Sequence, residues 1–343
     1  MPTAVIYDCE GARLSADERA FFRDADPLGF ILFADHCSTP DDVRAHVDEL
    51  REAVGRDDVL FLIDQEGGRV VRMKPPAFPA HPPAARFGEL YRLDPAKARE
   101  AARLNGFLLG RMTASLGVNV NCVPMLDIPQ IDTDPVVIGD RAIAAHPDIV
   151  ADLAGAMAAG LIDGGALPVI KHLPGHGRAL VDSHKDLPRI GASIGDLRAT
   201  DFAPFKALNG ALMGMTGHIV FDAIDADLCA TMSETVITEI IRGDIGFDGL
   251  LFSDDLRMGA LDGDIGARVH DSLAAGCDIA LCCNFTMEEK RAAACAAPVL
   301  SGDALRRVDA VFDALPIPPA HDPAALSADY DRLNALLRPV LLV

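Results

Sequence analysis

Residues 166–172 read ALPVIKH: a short apolar run that ends on two side chains able to do chemistry. The run is brief and carries β-branched Val169 and Ile170, which suits a parallel strand buried on both faces. The same figure recurs on both sides of it. Upstream lie TAVIYD (3–8), GFILFA (29–34), VLFLID (59–64) and VNVNCVPML (118–126). Downstream lie ALMGMTG (211–217), GLLFSD (249–254) and CDIALCC (277–283). Helical patterns separate them: one capped near Ser15, one opened by Thr39-Pro40, one from about Asp94 to Leu116. Eight strands in β-α alternation predict an α/β fold, a single (β/α)8 TIM-type barrel. The expected unit is one catalytic domain over 1–343 with a C-terminal helical extension from about 286 to 343. The competing open, doubly wound sheet calls for a Gly-rich phosphate turn, and no GxGxxG or P-loop follows any of these strands. The Pro-rich stretch KPPAFPAHPPA (74–84) is expected to be a loop over the barrel mouth or a brace.

Composition narrows the function. The 343 residues are 50% hydrophobic but only 5% aromatic, and the net charge is −20. So acidic a chain repels phosphate backbones and anionic lipid, so neither nucleic acid nor membrane is an expected partner. The start, MPTAVIYDCEGARLS, lacks the basic and long apolar regions of a signal peptide. The eight cysteines form no CxxC pair and several sit in strand-like runs, so they read as buried free thiols of a reducing compartment. A cytoplasmic protein is the expectation.

The polar residues concentrate where barrel enzymes keep their chemistry, at the C-terminal strand ends. Asp64, Asp127, Lys171-His172, Gly217-His218, Asp254-Asp255 and Asn284 each follow an apolar run. Converging on one mouth, they describe a polar pocket. Four of the ten histidines lie between 172 and 218. Residue types alone leave two readings open for them: a divalent metal site, or acid–base chemistry by a histidine with a carboxylate neighbour. No HExxH helix is present, and Asp182-Ser183-His184 supplies a carboxylate two residues from an imidazole.

Taken together, KHLPGHG (171–177) and DSH (182–184) resemble the signature of family 3 glycoside hydrolases. More narrowly they are similar to that family's single-domain bacterial β-N-acetylglucosaminidases of cell-wall recycling. LGFILF (28–33), DQEGGRVVR (64–72), NVNCVPMLD (119–127), VIGDRA (137–142), TGHIVFDAID (216–225), FSDDLRMGA (252–260) and AGCDIALCCN (275–284) agree in the same order. Two departures stand out. Leu173 replaces a frequent Phe, and Asp35-His36 stands where the family commonly has Arg-Asn.

The resemblance implies a retaining exo-β-N-acetylhexosaminidase acting on muropeptide fragments, with no cofactor and no metal. Asp254 would be the nucleophile, His184 the general acid and then base, and Asp182 its partner. Asp64, Arg72, Arg141, Lys171 and His172 would bind the sugar. Asp254 shares a strand face with Leu250 and Phe252, which agrees with that assignment. Glu66 is expected to hold its Gly-rich turn, and His176 to be structural in its loop. Asp255 is expected to cap or support, while His218 is left between lining the pocket and satisfying backbone groups. Three rival readings stay open: a metal-dependent barrel hydrolase, a different sugar specificity, and a non-catalytic sugar binder. Oligomeric state is not readable.

Overall fold

The computed structural model describes residues 1–130, 133, 138–180, 187–320 and 322–341. Eight parallel strands close into a ring: β1 (Thr3–Tyr7), β2 (Pro27–Leu32), β3 (Leu60–Ile63), β4 (Val120–Asn121), β5, β6 (Met213–Thr216), β7 (Leu250–Asp255) and β8 (Ile279–Cys282). β5 is one strand in two pieces, Leu167–Pro168 and Ile170–Leu173, interrupted at Val169. Its first piece pairs with β4 and its second with β6. β8 pairs with β1, so the circuit is complete. This is the (β/α)8 barrel expected from the alternation. All eight apolar runs supply its strands.

β4 is shorter than the run VNVNCVPML. Pro124 has no N–H to give the ladder. The chain past Asn121 nevertheless stays beside β5, because Leu126 N–H donates to the Lys171 carbonyl at 2.7 Å. One feature of the fold lies outside the alternating pattern, a three-stranded sheet of Arg189–Ile190, Val220–Phe221 and Asp225–Cys229. Its strands are two to five residues long, too brief to show a period-2 signature.

Alternation within each strand divides the core. Ile6, Leu62, Val169, Leu250, Phe252 and Leu281 pack together inside the barrel. Tyr7, Phe30, Phe61 and Ile63 face the helices instead. The helices begin where their caps predict. The Ser15 side chain accepts from Glu18 N–H in a capping box before Ala16–Ala25, and Thr39 accepts from Asp42 N–H before Pro40–Val54. Asp94 caps Pro95–Ala114 in the same way.

The Pro-rich stretch is a brace. Its Pro82 and Pro83 lie against Gly67 and Gly68, and Gly68 N–H donates to the His81 carbonyl. Both glycines have positive φ, and a Cβ on Gly67 would stand 2.3 Å from the Pro82 oxygen. Only glycine fits that turn. At the C-terminal end, Arg111 donates to the carbonyls of Pro319 and Ala320, and helix Pro323–Leu341 packs back on Ala85–Leu93 and Pro95–Ala114. All eight cysteines are free; Cys295 is exposed and the others are buried. Among the described residues no helix is long and apolar enough to cross a membrane.

Candidate active site

The interior face of the strands carries on past their ends and becomes the wall of a cavity. Counting in twos from buried interior residues, Ile31 leads to Phe33, Leu62 to Asp64, Val169 to Lys171, Phe252 to Asp254 and Leu281 to Cys283. Each of these end residues lines one cavity of about 260 Å³ at the barrel mouth. Glu66, Arg72, Arg141, His172, His176, Asp255 and Met258 complete most of the rest. The five residues expected to bind sugar therefore meet at one place, with Asp254 among them.

One side of the cavity is a charge network. Lys171 Nζ lies 2.8 Å from both Asp64 Oδ1 and Glu66 Oε1. Arg72 Nη2 reaches Asp64 Oδ2 at 3.0 Å and sits over the Phe33 ring, 5.1 Å from its centre. Arg141 grips Glu66 with two bonds, 2.9 and 2.8 Å. Burial by itself would raise the Asp64 carboxyl, but Lys171 and Arg72 outweigh it and hold it at about 2. Glu66 is pulled well below the carboxylate range by Lys171 and Arg141 against the same burial. Lys171, buried between two carboxylates, is held firmly protonated. The wall is thus a fixed array of ionised groups, suited to hydroxyls and an amide rather than to proton transfer.

The expectation for Glu66 needs correcting. Its carboxylate ties Lys171 to Arg141 inside the cavity, while Gln65 holds the turn. Gln65 Oε1 accepts Arg72 N–H at 2.8 Å and Met73 N–H at 3.0 Å, and its Nε2 donates to the Met73 carbonyl. A Glu before two glycines looks like a turn residue because its partners, Arg141 and Lys171, are 75 or more positions away.

Asp127 is the site residue whose task the sequence did not disclose. It is fully buried, takes the His172 Nδ1 contact at 2.7 Å on Oδ2 and accepts His176 N–H at 2.6 Å on Oδ1. Burial pushes its carboxyl up, yet His172 and His176 bring it below the ordinary value. His176 is structural through its main chain, and its ring also lines the cavity; burial depresses it to about 4.

Opposite the charge network stands Asp254. Its Oδ1 accepts the Asp255 N–H at 2.8 Å. Burial opposes ionisation, but His172, His218 and that N–H lower its carboxyl overall. Asp255 goes the other way. Burial, joined by the Asp254 charge, raises it to about 7. Its Oδ1 accepts Arg257 N–H at 2.9 Å and approaches Cys283 N–H at 3.4 Å, a cap on the turn after β7. Two neighbouring carboxylates are thus driven apart, the first ionised and the second near neutrality.

His218 lies behind the cavity wall rather than in it, bonded to Thr231 and the Asp255 carbonyl. His36 binds the loops after β1 and β2 together, accepting Phe33 N–H at 2.9 Å and donating to the Cys9 carbonyl. Asp35 is exposed and does not line the catalytic cavity. Asp182 and His184 lie outside the described residues. Among the described residues no three His, Cys, Asp or Glu side chains gather around a point that would hold one ion.

Comparison with known proteins agrees with this geometry. Residues 8–313 match the glycosyl hydrolase family 3 N terminal domain. A β-hexosaminidase of Alkalilimnicola ehrlichii is 39% identical over 284 residues, covering 82% of this chain and 80% of its own. One from Bordetella avium is 33% identical over 344 residues, covering 97% and 92%. Among solved structures, NagZ from Neisseria gonorrhoeae in complex with N-trifluoroacetyl-D-glucosamine superposes with a TM-score of 0.87 at 28% identity, covering 98% of each chain.

Proposed function

This chain belongs to glycosyl hydrolase family 3 and is a glycoside hydrolase of the β-hexosaminidase type, and from that premise we propose that it releases terminal β-linked N-acetylglucosamine from cell-wall muropeptide fragments through a covalent sugar–aspartate intermediate. The observation that carries the reading is the placement of Asp254. It is an ionised carboxylate on the inward face of β7, across a sugar-sized cavity from Asp64, Arg72, Lys171 and His172.

The ion array holds the sugar ring by its hydroxyls and acetamido group, which fixes the anomeric carbon against Asp254. The Asp254 carboxylate attacks that carbon while protonated His184 gives its proton to the leaving oxygen. Water, deprotonated by His184, then opens the ester, and the sugar leaves with retained configuration. Asp182 orients the imidazole. The same reading makes the enzyme cytoplasmic, where such fragments are recycled.

The test uses the His184→Ala protein and a nitrophenyl N-acetyl-β-glucosaminide. That leaving group needs little protonation, so the first step proceeds, and the second lacks its base. A burst is expected, with the sugar found by mass spectrometry on Asp254. Azide, which needs no base, should restore turnover and give a β-linked product. An adduct on Asp255, or none under burst conditions, overturns the assignment.

A further inference from the structure

His218 is a buried imidazole that the proposed reaction leaves unused, and its bonds lead to the nucleophile. It follows β6, is fully buried, and spans the gap between β6 and β7. Nε2 stands 2.9 Å from the Asp255 carbonyl oxygen, and Nδ1 stands 2.8 Å from Thr231 Oγ1. A carbonyl oxygen only accepts, so Nε2 carries the hydrogen. In the neutral ring Nδ1 is then the acceptor, and the Thr231 hydroxyl donates to it. Thr216 Oγ1, 2.8 Å from Thr231 Oγ1, completes a chain with a consistent direction. Burial lowers the His218 imidazole, in keeping with a neutral ring.

Residue 255 is held from two sides. From β6, His218 takes its carbonyl. From β8, Cys283 N–H approaches its carboxylate at 3.4 Å. Its own N–H meets Asp254 Oδ1 at 2.8 Å. Whatever fixes the main chain of residue 255 therefore fixes that N–H, and with it the rotation of the Asp254 carboxylate. Oδ1 is occupied, and no hydrogen bond from the described residues reaches Oδ2.

We infer that His218 is a positioning residue: through the main chain of Asp255 it holds the Asp254 carboxylate so that Oδ1 is bonded and Oδ2 is presented to the anomeric carbon. This rests on the reading of Asp254 as nucleophile. A misplacement of the reacting oxygen by about 1 Å is worth about 100-fold in rate, so the clamp has a measurable effect.

The experiment compares His218→Gln with His218→Asn in the full chain. A glutamine amide reaches the place of Nε2; an asparagine amide reaches only the place of Nδ1. Both remain polar and close in size, and thermal melting is measured for each. With a nitrophenyl N-acetyl-β-glucosaminide, kcat/KM reports the step that forms the glycosyl-enzyme. The Asn variant should lose about 100-fold, and the Gln variant should stay within about tenfold of the parent. Inhibition by free N-acetylglucosamine should change little in either, since the sugar-holding wall is untouched. Equal kcat/KM for the two variants overturns the positioning role. If neither variant melts cooperatively, Thr231→Val decides: it keeps the imidazole, removes the partner of Nδ1, and should lower kcat/KM about tenfold, while an unchanged value overturns the role. Mapping the adduct in His184→Ala separates the two layers. An adduct on Asp254 with indifferent His218 variants removes only this inference, whereas an adduct elsewhere removes both.

Discussion

His172 Nδ1 lies 2.7 Å from Asp127 Oδ2, in a contact with a fully buried carboxylate. Asp127 also accepts the main-chain N–H of His176, so one carboxylate sets both the imidazole in the cavity wall and the loop after β5. Asp127→Ala should therefore do two things at once. Stability should fall by about 3–5 kcal/mol, the cost of leaving a buried pair with one partner. KM for an aryl N-acetyl-β-glucosaminide should rise, because His172 loses its orientation. Denaturant titration and steady-state kinetics on the same preparation check both; a variant as stable as the parent contradicts the first.

Glu66 links Lys171 to Arg141, so Glu66→Gln leaves two cations sharing one fewer charge. The expected outcome is a higher KM with a smaller change in kcat, since the wall holds the sugar but moves no proton. The network also predicts acid sensitivity. The Asp64 carboxyl is depressed in the folded chain, so its contribution is present above the unfolded value of 3.8 and is lost as pH falls through about 2. Melting curves between pH 5 and pH 2 should show a steeper loss for the parent than for Asp64→Asn.

Asp255 has the opposite sign. Its folded carboxyl is raised, so its contribution is fully present below the unfolded value of 3.8 and is lost as pH rises through about 7. Asp255→Asn keeps an oxygen for the N–H groups of Arg257 and Cys283 but cannot ionise. The variant should match the parent near pH 5 and exceed it near pH 8, by on the order of 2 kcal/mol. Parallel loss at both pH values would show that the carboxylate is needed in its charged form.

The acid limb of kcat/KM should belong to Asp254. Its carboxyl is lowered from 3.8 by His172, His218 and the Asp255 N–H, which together outweigh burial. Activity should therefore persist down to that value before it falls, provided the chain stays folded. Asp254→Ala should abolish turnover of both nitrophenyl and natural substrates, a loss beyond the about 10²–10⁴-fold typical of losing acid–base assistance. An acid limb centred well above 3.8 would point to another group.

The barrel was readable because its signals are local. Each strand announces itself as an apolar run, and Ser15, Thr39 and Asp94 mark helix starts within four residues of their own bonds. The face of Asp254 was readable too, since Leu250 and Phe252 point inward and parity carries two residues further. Glu66 was misread as a turn residue because its role depends on Arg141, 75 positions away. The task of Asp127 stayed hidden because His172 approaches it from another strand, 45 positions on.

The sequence by itself determined the architecture and the list of polar strand ends, because period-2 burial and capping act over a few residues. Tertiary structure alone decided how those ends share charge. Asp254 and Asp255 are chemically identical neighbours, and no local rule tells them apart. Closure of the ring puts histidines and an N–H around the first, and a desolvated corner between β7 and β8 around the second. Their opposite shifts follow from groups that only the closed barrel brings within range, because charge and desolvation act through space and not along the chain.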